Sequence, residues 1–306
     1  MTSAHGKFVW YELATKDGGD AKAFYAQILG WAARKVSQGG RPYSLLTAGE
    51  TPVAGLMPLP EEAGASPHWL GYVGVDDVDH AAFERNRSNA EKVIGSKKRE
   101  RASSEKPIPH IFASRALDAA VLTTRRLGGA VYVPPTEVPG VSRFSIIADP
   151  QGATLGLIER IQPSQEAAID LTAPGRVGWH ELLAADHETA FAFYSALLGW
   201  RKAERQEGFM GAYQSFAFGA QTIGGMFTKP PMLPHPFWLY YFNVDDIDAA
   251  ARRVEAAGGA IYYGPIEAPG GACILHCADS QGATFALLER RPVKPVGYFT
   301  PRPSAN

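Results

Sequence analysis

The chain has 306 residues, with 30 Lys and Arg against 31 Asp and Glu, for a net charge of −1 at neutral pH. That balance supplies no global attraction to nucleic acid or to an anionic membrane, and no apolar run reaches the ~18 residues of a membrane-spanning helix. At 45% hydrophobic residues the length suits two domains, each able to bury a core.

In chain order, a strand is predicted over Phe8–Leu13, with Asp17 placed to cap the helix that follows. That helix carries Phe24, Ile28 and Leu29 at helical spacing and stops at Gly30. Short strands are predicted around 43–48 and 53–58. A second strand–helix pair starts at HWLGYVGVDDVD (68–79), and its helix ends at Gly128-Gly129. The segments AVYVP, RFSIIAD and ATLGLIE supply three closing strands before a linker over 161–174. The same order then returns: a strand over Val177–Leu182, a cap at Asp186, a helix with Phe193, Leu197 and Leu198, and a stop at Gly199. Strands at 213–218 and 222–227, FWLYYFNVDDID (237–248) and a helix stop at Gly258-Gly259 complete the match, and a Pro-rich tail occupies 292–306.

The return is a true repeat. Residues 6–31 recur at 175–200 with 12 of 26 positions identical, and residues 127–160 recur at 257–290 with 17 of 34 identical. The offsets are 169 and 130, so the first copy is longer by about 39 residues. Two copies of one βαβββ-twice domain make four such units, an α+β architecture. The extra length falls at residues 80–117, which hold nine Lys or Arg and four Glu. A solvated basic loop is the plain reading; a partner-binding arm is the alternative, and nucleic acid is not expected because only Phe83 and Phe112 could stack on bases.

The AFY-x3-LGW helix ends (Ala23–Trp31, Ala192–Trp200), the VDDVD and VDDID turns, and the DPQGAT and DSQGAT turns resemble those of the vicinal oxygen chelate superfamily. That superfamily holds glyoxalase I, fosfomycin-resistance proteins, bleomycin-binding proteins and extradiol dioxygenases. The resemblance implies two tandem glyoxalase-like domains, at 1–160 and 175–291. It also implies a divalent metal held by two His and one Glu, a donor set that leaves positions open for substrate oxygens. The implied positions are Trp10, Leu70 and Gly156 in the first copy, and Trp179, Leu239 and Ala286 in the second. None carries a donor, so no metal is expected there.

Other candidates follow from the repeat. Glu12 and Glu181 occur in both copies, two residues after Trp10 and Trp179 and so on the same strand face. A carboxylate among aromatics is a candidate general base or ligand anchor; the competing reading is a structural hydrogen bond, for which the pseudo-twofold is one location. Phe8, Trp10, Met57 and Tyr72, with Trp179, Phe227 and Tyr241, are expected to line an apolar concave face that takes a small organic molecule. His180, His276 and His68 have no counterpart histidines (Tyr11, Ile146 and Phe237 stand opposite), so structural roles are expected for them. Arg143 is likewise confined to one copy.

The leading expectation is thus metal-free binding, like that of the bleomycin-binding branch. The alternative is a lyase or dioxygenase holding Fe, Mn, Ni or Zn through Glu12 or Glu181 with His68. No secretory signal pattern opens the chain. Cys273 and Cys277 lie about 13 Å apart at strand rise, too far for a disulfide. A cytoplasmic protein, monomeric or homodimeric, is expected.

Overall fold

Every predicted strand–helix–strand segment folds into one of two eight-stranded sheets. A computed structural model describes residues 4–38, 41–59, 64–76, 116–160, 171–208, 211–268 and 271–291. The tail, most of the linker and all of the insertion but Ala116 and Leu117 lie outside the described residues. In the first half, β1 (Phe8–Thr15), α1 (Gly18–Leu29), β2 (Ala32–Gln38), β3 (Arg41–Ala48) and β4 (Thr51–Pro58) form one unit. β5 (His68–Gly74), α2 (Ala116–Arg126), β6 (Ala130–Val138), β7 (Ser142–Ala148) and β8 (Thr154–Arg160) form the next. The strand order is β2-β3-β4-β1-β5-β8-β7-β6. β1 runs parallel to β4 and antiparallel to β5, so the two units join edge to edge at the middle of the sheet.

The second half repeats this with β9 (Val177–Ala184), α3 (His187–Leu198), β10 (Arg201–Gly208), β11 (Gly211–Phe218), β12 (Gln221–Thr228), β13 (Phe237–Asn243), α4 (Ile247–Ala256), β14 (Ala260–Glu267), β15 (Ala272–Ala278) and β16 (Thr284–Arg290), in the equivalent order. No helix among the described residues is long and apolar enough to cross a membrane.

Local chemistry sets the helix ends as the sequence indicates. Asp17 accepts from Gly19 N and Asp20 N, and Asp186 from Thr189 N, which satisfies donors the helix itself cannot. Gly30 and Gly199 close the helices in the left-handed region, at φ 69° and 72°.

One continuous core joins the halves, and the repeated motifs build it. Trp31 Nε1 donates to Gly175 O at 2.9 Å and Trp200 Nε1 to Gly6 O at 2.7 Å, each crossing to the other half. Tyr25 Oη donates to Asp279 and Tyr194 Oη to Asp149, again across the interface. Those aspartates also hold their own turns, through Gln281 N and Ala283 N, and through Gln151 N and Ala153 N. The glutamines of these turns then clasp the helix caps opposite. Gln281 pairs its amide with both backbone groups of Asp17, at 2.7 Å each; Gln151 does so with Asp186 at 2.7 and 2.8 Å. Rings fill the space between: Phe24 packs edge-on to Phe285, and Trp31 and Trp69 against Phe242.

Near the pseudo-twofold axis, equivalent positions meet each other, and there the copies differ. Tyr11 Oη lies 2.6 Å from His180 Nε2, while His180 Nδ1 lies 2.6 Å from the Ile223 carbonyl. The histidine is thereby satisfied as a neutral, structural group, as expected; burial pushes its pKa down to about 4. Phe8 is a correction. A register shift after it turns it out of the cup row, and its ring stacks on His180 at 3.8 Å in the interface rather than lining the concave face.

At a second such point, Tyr240 Oη accepts from Gly71 N at 2.7 Å, and a Cβ at residue 71 would stand 2.6 Å from Tyr240 Cε1. Gly71→Ala should therefore cost about 2 kcal/mol by overpacking in the otherwise unchanged chain. In a Tyr240→Ala background it should cost under about 0.5 kcal/mol, because the clash partner is gone. Chemical denaturation of the four proteins in this cycle measures the difference, and equal costs in both backgrounds would refute the axis packing.

Candidate functional site

The face of each sheet that points away from the other half forms a cup, and strand register places the candidate residues in it. Trp10 pairs with Tyr72 and Tyr72 with Gly156, while Glu12 pairs with Gly55 and Leu70. Trp179, Tyr241 and Ala286 repeat the first row, and Glu181, Gly225 and Leu239 the second. Met57 and Phe227 sit two residues beyond those glycines on the same face. All the predicted cup residues except Phe8 thus share one surface in each half.

A hydrogen-bonded chain runs through each cup, and sequence reasoning missed one of its four residues, Tyr43 in the first half and Tyr213 in the second. Trp10 Nε1 donates to Tyr43 Oη (3.1 Å), Tyr43 donates to Glu12 Oε1 (2.7 Å), and Tyr72 donates to Glu12 Oε2 (2.6 Å). In the second half Trp179 Nε1 donates to Tyr213 Oη (2.8 Å), and Tyr213 and Tyr241 both hydrogen-bond Glu181, the latter at 2.7 Å. The glutamates do make structural hydrogen bonds, and these stay within each half rather than crossing the pseudo-twofold. Two phenol donors suit an ionised carboxylate, which only accepts.

Glycine makes the arrangement possible. A Cβ at Gly55 would overlap Tyr43 Oη, and one at Gly225 would overlap the Tyr213 ring, so each tyrosine lies flat on bare backbone beside its glutamate. The signal was available in the sequence, since Tyr43 matches Tyr213 and Gly55 matches Gly225 in the repeat.

The halves differ around this common chain. Glu181 is buried, and its cup is packed with Leu183, Phe227, Leu239 and Leu288, with Trp179, Tyr213 and Ile274 partly covered. Burial pushes Glu181 up to about 6, against the pull of Tyr241 and Tyr213. Glu12 is only half-buried. His276, given a purely structural role by the sequence, approaches Tyr241 Oη with Nε2 at 2.7 Å; Ile146 stands in its place in the first half. Burial lowers His276 to about 4, so it is neutral at ordinary pH.

The metal positions do not fit a divalent ion. Trp10, Leu70 and Gly156 offer no donor, nor do Trp179, Leu239 and Ala286, and the Tyr72 ring fills the space where a side chain at 156 would begin. His68 is exposed at the start of β5, with Nδ1 2.9 Å from Ser66 O. No group of three His, Cys, Asp or Glu suited to a metal occurs among the described residues. Arg143 is tied to Asp118 and Glu159 at 3.0 and 3.2 Å rather than facing a ligand.

Known proteins share this arrangement of strands. The family model described as Glyoxalase/Bleomycin resistance protein/Dioxygenase superfamily matches residues 7–157 and 176–287. CFP32 of Mycobacterium tuberculosis, named as a glyoxylase, is 31% identical over 288 residues, covering 92% of this chain and 94% of that protein. The anthracycline biosynthesis protein DauV of Streptomyces sp. strain C5 is 27% identical over 305 residues, 96% of each. Among solved structures, the Mn(II)-bound glyoxalase of Novosphingobium aromaticivorans matches with TM-score 0.57 at 16% identity, covering 94% of this chain and 83% of its own. Homoprotocatechuate 2,3-dioxygenase of Brevibacterium fuscum matches with TM-score 0.59 at 13% identity, covering 92% and 80%. At such identities the structures speak to the fold alone.

The raised carboxyl gives a test of the second cup. Because Glu181 binds its proton more tightly folded than unfolded, its contribution to stability is full below about pH 4.5 and is lost as pH rises through about 6. Relative to Glu181→Gln, the unmodified protein should lose about 2 kcal/mol between pH 4 and pH 7. Urea titrations of both proteins across that range measure it; a stability difference that does not vary with pH refutes the buried, raised carboxyl.

Proposed function

The chain belongs to the glyoxalase/bleomycin resistance protein/dioxygenase superfamily, and from that premise we propose that it binds a planar, hydrophobic small organic molecule in its cups without help from a metal. The observation that carries this reading is the Trp–Tyr–Glu–Tyr chain, present in both halves where the superfamily's metal chemistry would be centred. Each cup offers aromatic faces for a flat molecule and one oriented carboxylate to fix it, the combination that small-molecule sites use. The first cup is the more open, since Glu12 is half-buried and Glu181 is buried. In the first cup the ligand stacks on Trp10 beside Met57, above the buried Tyr72 ring; in the second it meets Trp179, above the buried Tyr241 and Phe227 rings. Glu12 and Glu181 anchor a hydroxyl or amine of the ligand. DauV, similar along nearly its whole length, is named for anthracycline biosynthesis, and anthracyclines are flat, fused-ring aromatics.

Titration with a dihydroxyanthraquinone should quench tryptophan fluorescence, and the metal chelator EDTA should leave the curve unchanged. Trp10→Leu should remove the quenching from the first cup, and Glu12→Gln should weaken that site about tenfold, the loss of one charge-assisted hydrogen bond. Stoichiometric Fe, Mn, Ni or Zn that disappears in Glu12→Ala or Glu181→Ala would overturn the metal-free reading in favour of a lyase or dioxygenase.

A further inference from the structure

The duplicated cups differ most in one side chain that the binding reading leaves unused. Tyr241 Oη stands between Glu181 Oε2 and His276 Nε2, 2.7 Å from each. A phenol has one proton, so the three groups have two complete hydrogen-bond arrangements. In one, His276 Nε2–H donates to Tyr241, which donates to the Glu181 carboxylate. In the other, a protonated Glu181 donates to Tyr241, which donates to an unprotonated Nε2, and the imidazole proton resides on Nδ1. The second arrangement holds one proton more than the first, and that proton enters at Nδ1. Among the described residues no hydrogen-bond partner occupies Nδ1, and the His276 side chain is only half-buried. Its ring is flanked by those of Tyr241 and Tyr263, at 5.5 and 5.7 Å between centroids.

We propose that the second cup, and not the first, accepts a proton from an acidic hydroxyl of its ligand, an enol or the phenol of a hydroxyquinone, through the relay His276–Tyr241–Glu181. The inference rests on the binding reading above and adds a chemistry to one of its two sites. The ligand O–H bond breaks, and its proton forms a bond to Nδ1. The Nε2 proton passes to Tyr241 Oη as the Tyr241 proton passes to Glu181 Oε2. The ligand is left as an oxyanion and Glu181 as a neutral acid, so the relay itself gains no second charge and the imidazole only exchanges tautomers. Burial supports the direction of transfer: it keeps His276 unprotonated and makes Glu181 a better proton acceptor than an ordinary carboxylate. In the first half Ile146 ends the chain at Tyr72, with no group to pass a proton on.

Alizarin, a dihydroxyanthraquinone whose colour reports ionisation of its hydroxyl, tests this with the intact chain. The variant His276→Ile installs the residue that the first half already carries at this position, and Tyr241→Phe, compared by circular dichroism with the unmodified protein, breaks the relay at its middle. Bound to the unmodified protein, part of the dye should ionise at a pH at least one unit below that of free dye, a shift of tenfold or more in its acid constant. His276→Ile should bind dye and lose that fraction, and the dye that Tyr241→Phe retains should lose it too. Bound dye with the same spectrum in all three proteins overturns the relay alone. No bound dye in the unmodified protein overturns the binding reading and the relay together.

Discussion

The contact between the two sheets is the constraint on which the rest of the molecule depends. Tyr11 and His180 occupy the same place in the two copies and meet at 2.6 Å, and Gly71 and Tyr240 do the same at 2.7 Å. A symmetric dimer must place identical residues at such points. Two tyrosines in place of Gly71 and Tyr240 would compete for one volume, and two glycines would leave it empty. Fusion of the copies into one chain removes that restriction, and the interface uses the freedom: one ring and one bare backbone fill the space, and a phenol finds an imidazole acceptor. Away from the axis the contacts return to symmetry. Trp31 and Trp200, Tyr25 and Tyr194, and Gln281 and Gln151 make the same bonds twice.

Rigidity of that interface is what leaves the outer faces free for chemistry. The caps of α1 and α3 are each held by a glutamine from the opposite half, and the turn aspartates Asp279 and Asp149 are each held by a tyrosine from the opposite half. The central strands of the sheet are therefore fixed from behind, and the cup is built on their other side. There the positioning device is glycine. With no side chains at Gly55 and Gly225, the Tyr43 and Tyr213 rings lie against the sheet and present their hydroxyls to the glutamates. A carboxylate fixed by two phenols on a floor of rings is preorganised, which lowers the cost of binding a flat partner.

Much of the fold was legible in the sequence, because strand alternation, aspartate caps and glycine stops are local signals that the repeat let each copy corroborate. The cup row was legible for the same reason: Trp10, Glu12 and Tyr72 follow from alternation along two strands. Phe8 did not follow, because a register shift in the pairing of β1 with β5 reverses its face, and such a shift leaves no mark in hydrophobic period. Tyr43 and Tyr213 escaped notice because their role depends on glycines one strand away, a relation across strands rather than along one. His276 was set aside for lacking a counterpart. That test finds what two copies share, and it is blind to what one copy has gained.

This blindness bears directly on function. The motifs that carry the family resemblance, the AFY-x3-LGW helix ends and the D-x-Q-G-A-T turns, lie in the interface and bond the halves together. A chemistry peculiar to one half has to reside where the copies diverge and where the fold does not need the difference. At residues 146 and 276 the sheets are equivalent and the neighbouring tyrosines, Tyr72 and Tyr241, are retained, so exchanging isoleucine for histidine alters no packing element common to both. What it alters is the hydrogen-bonding capacity of one cup. The scaffold stays symmetric, while histidine at 276 extends the Trp–Tyr–Glu–Tyr chain of one cup by a group that can exchange a proton and isoleucine at 146 ends it in the other.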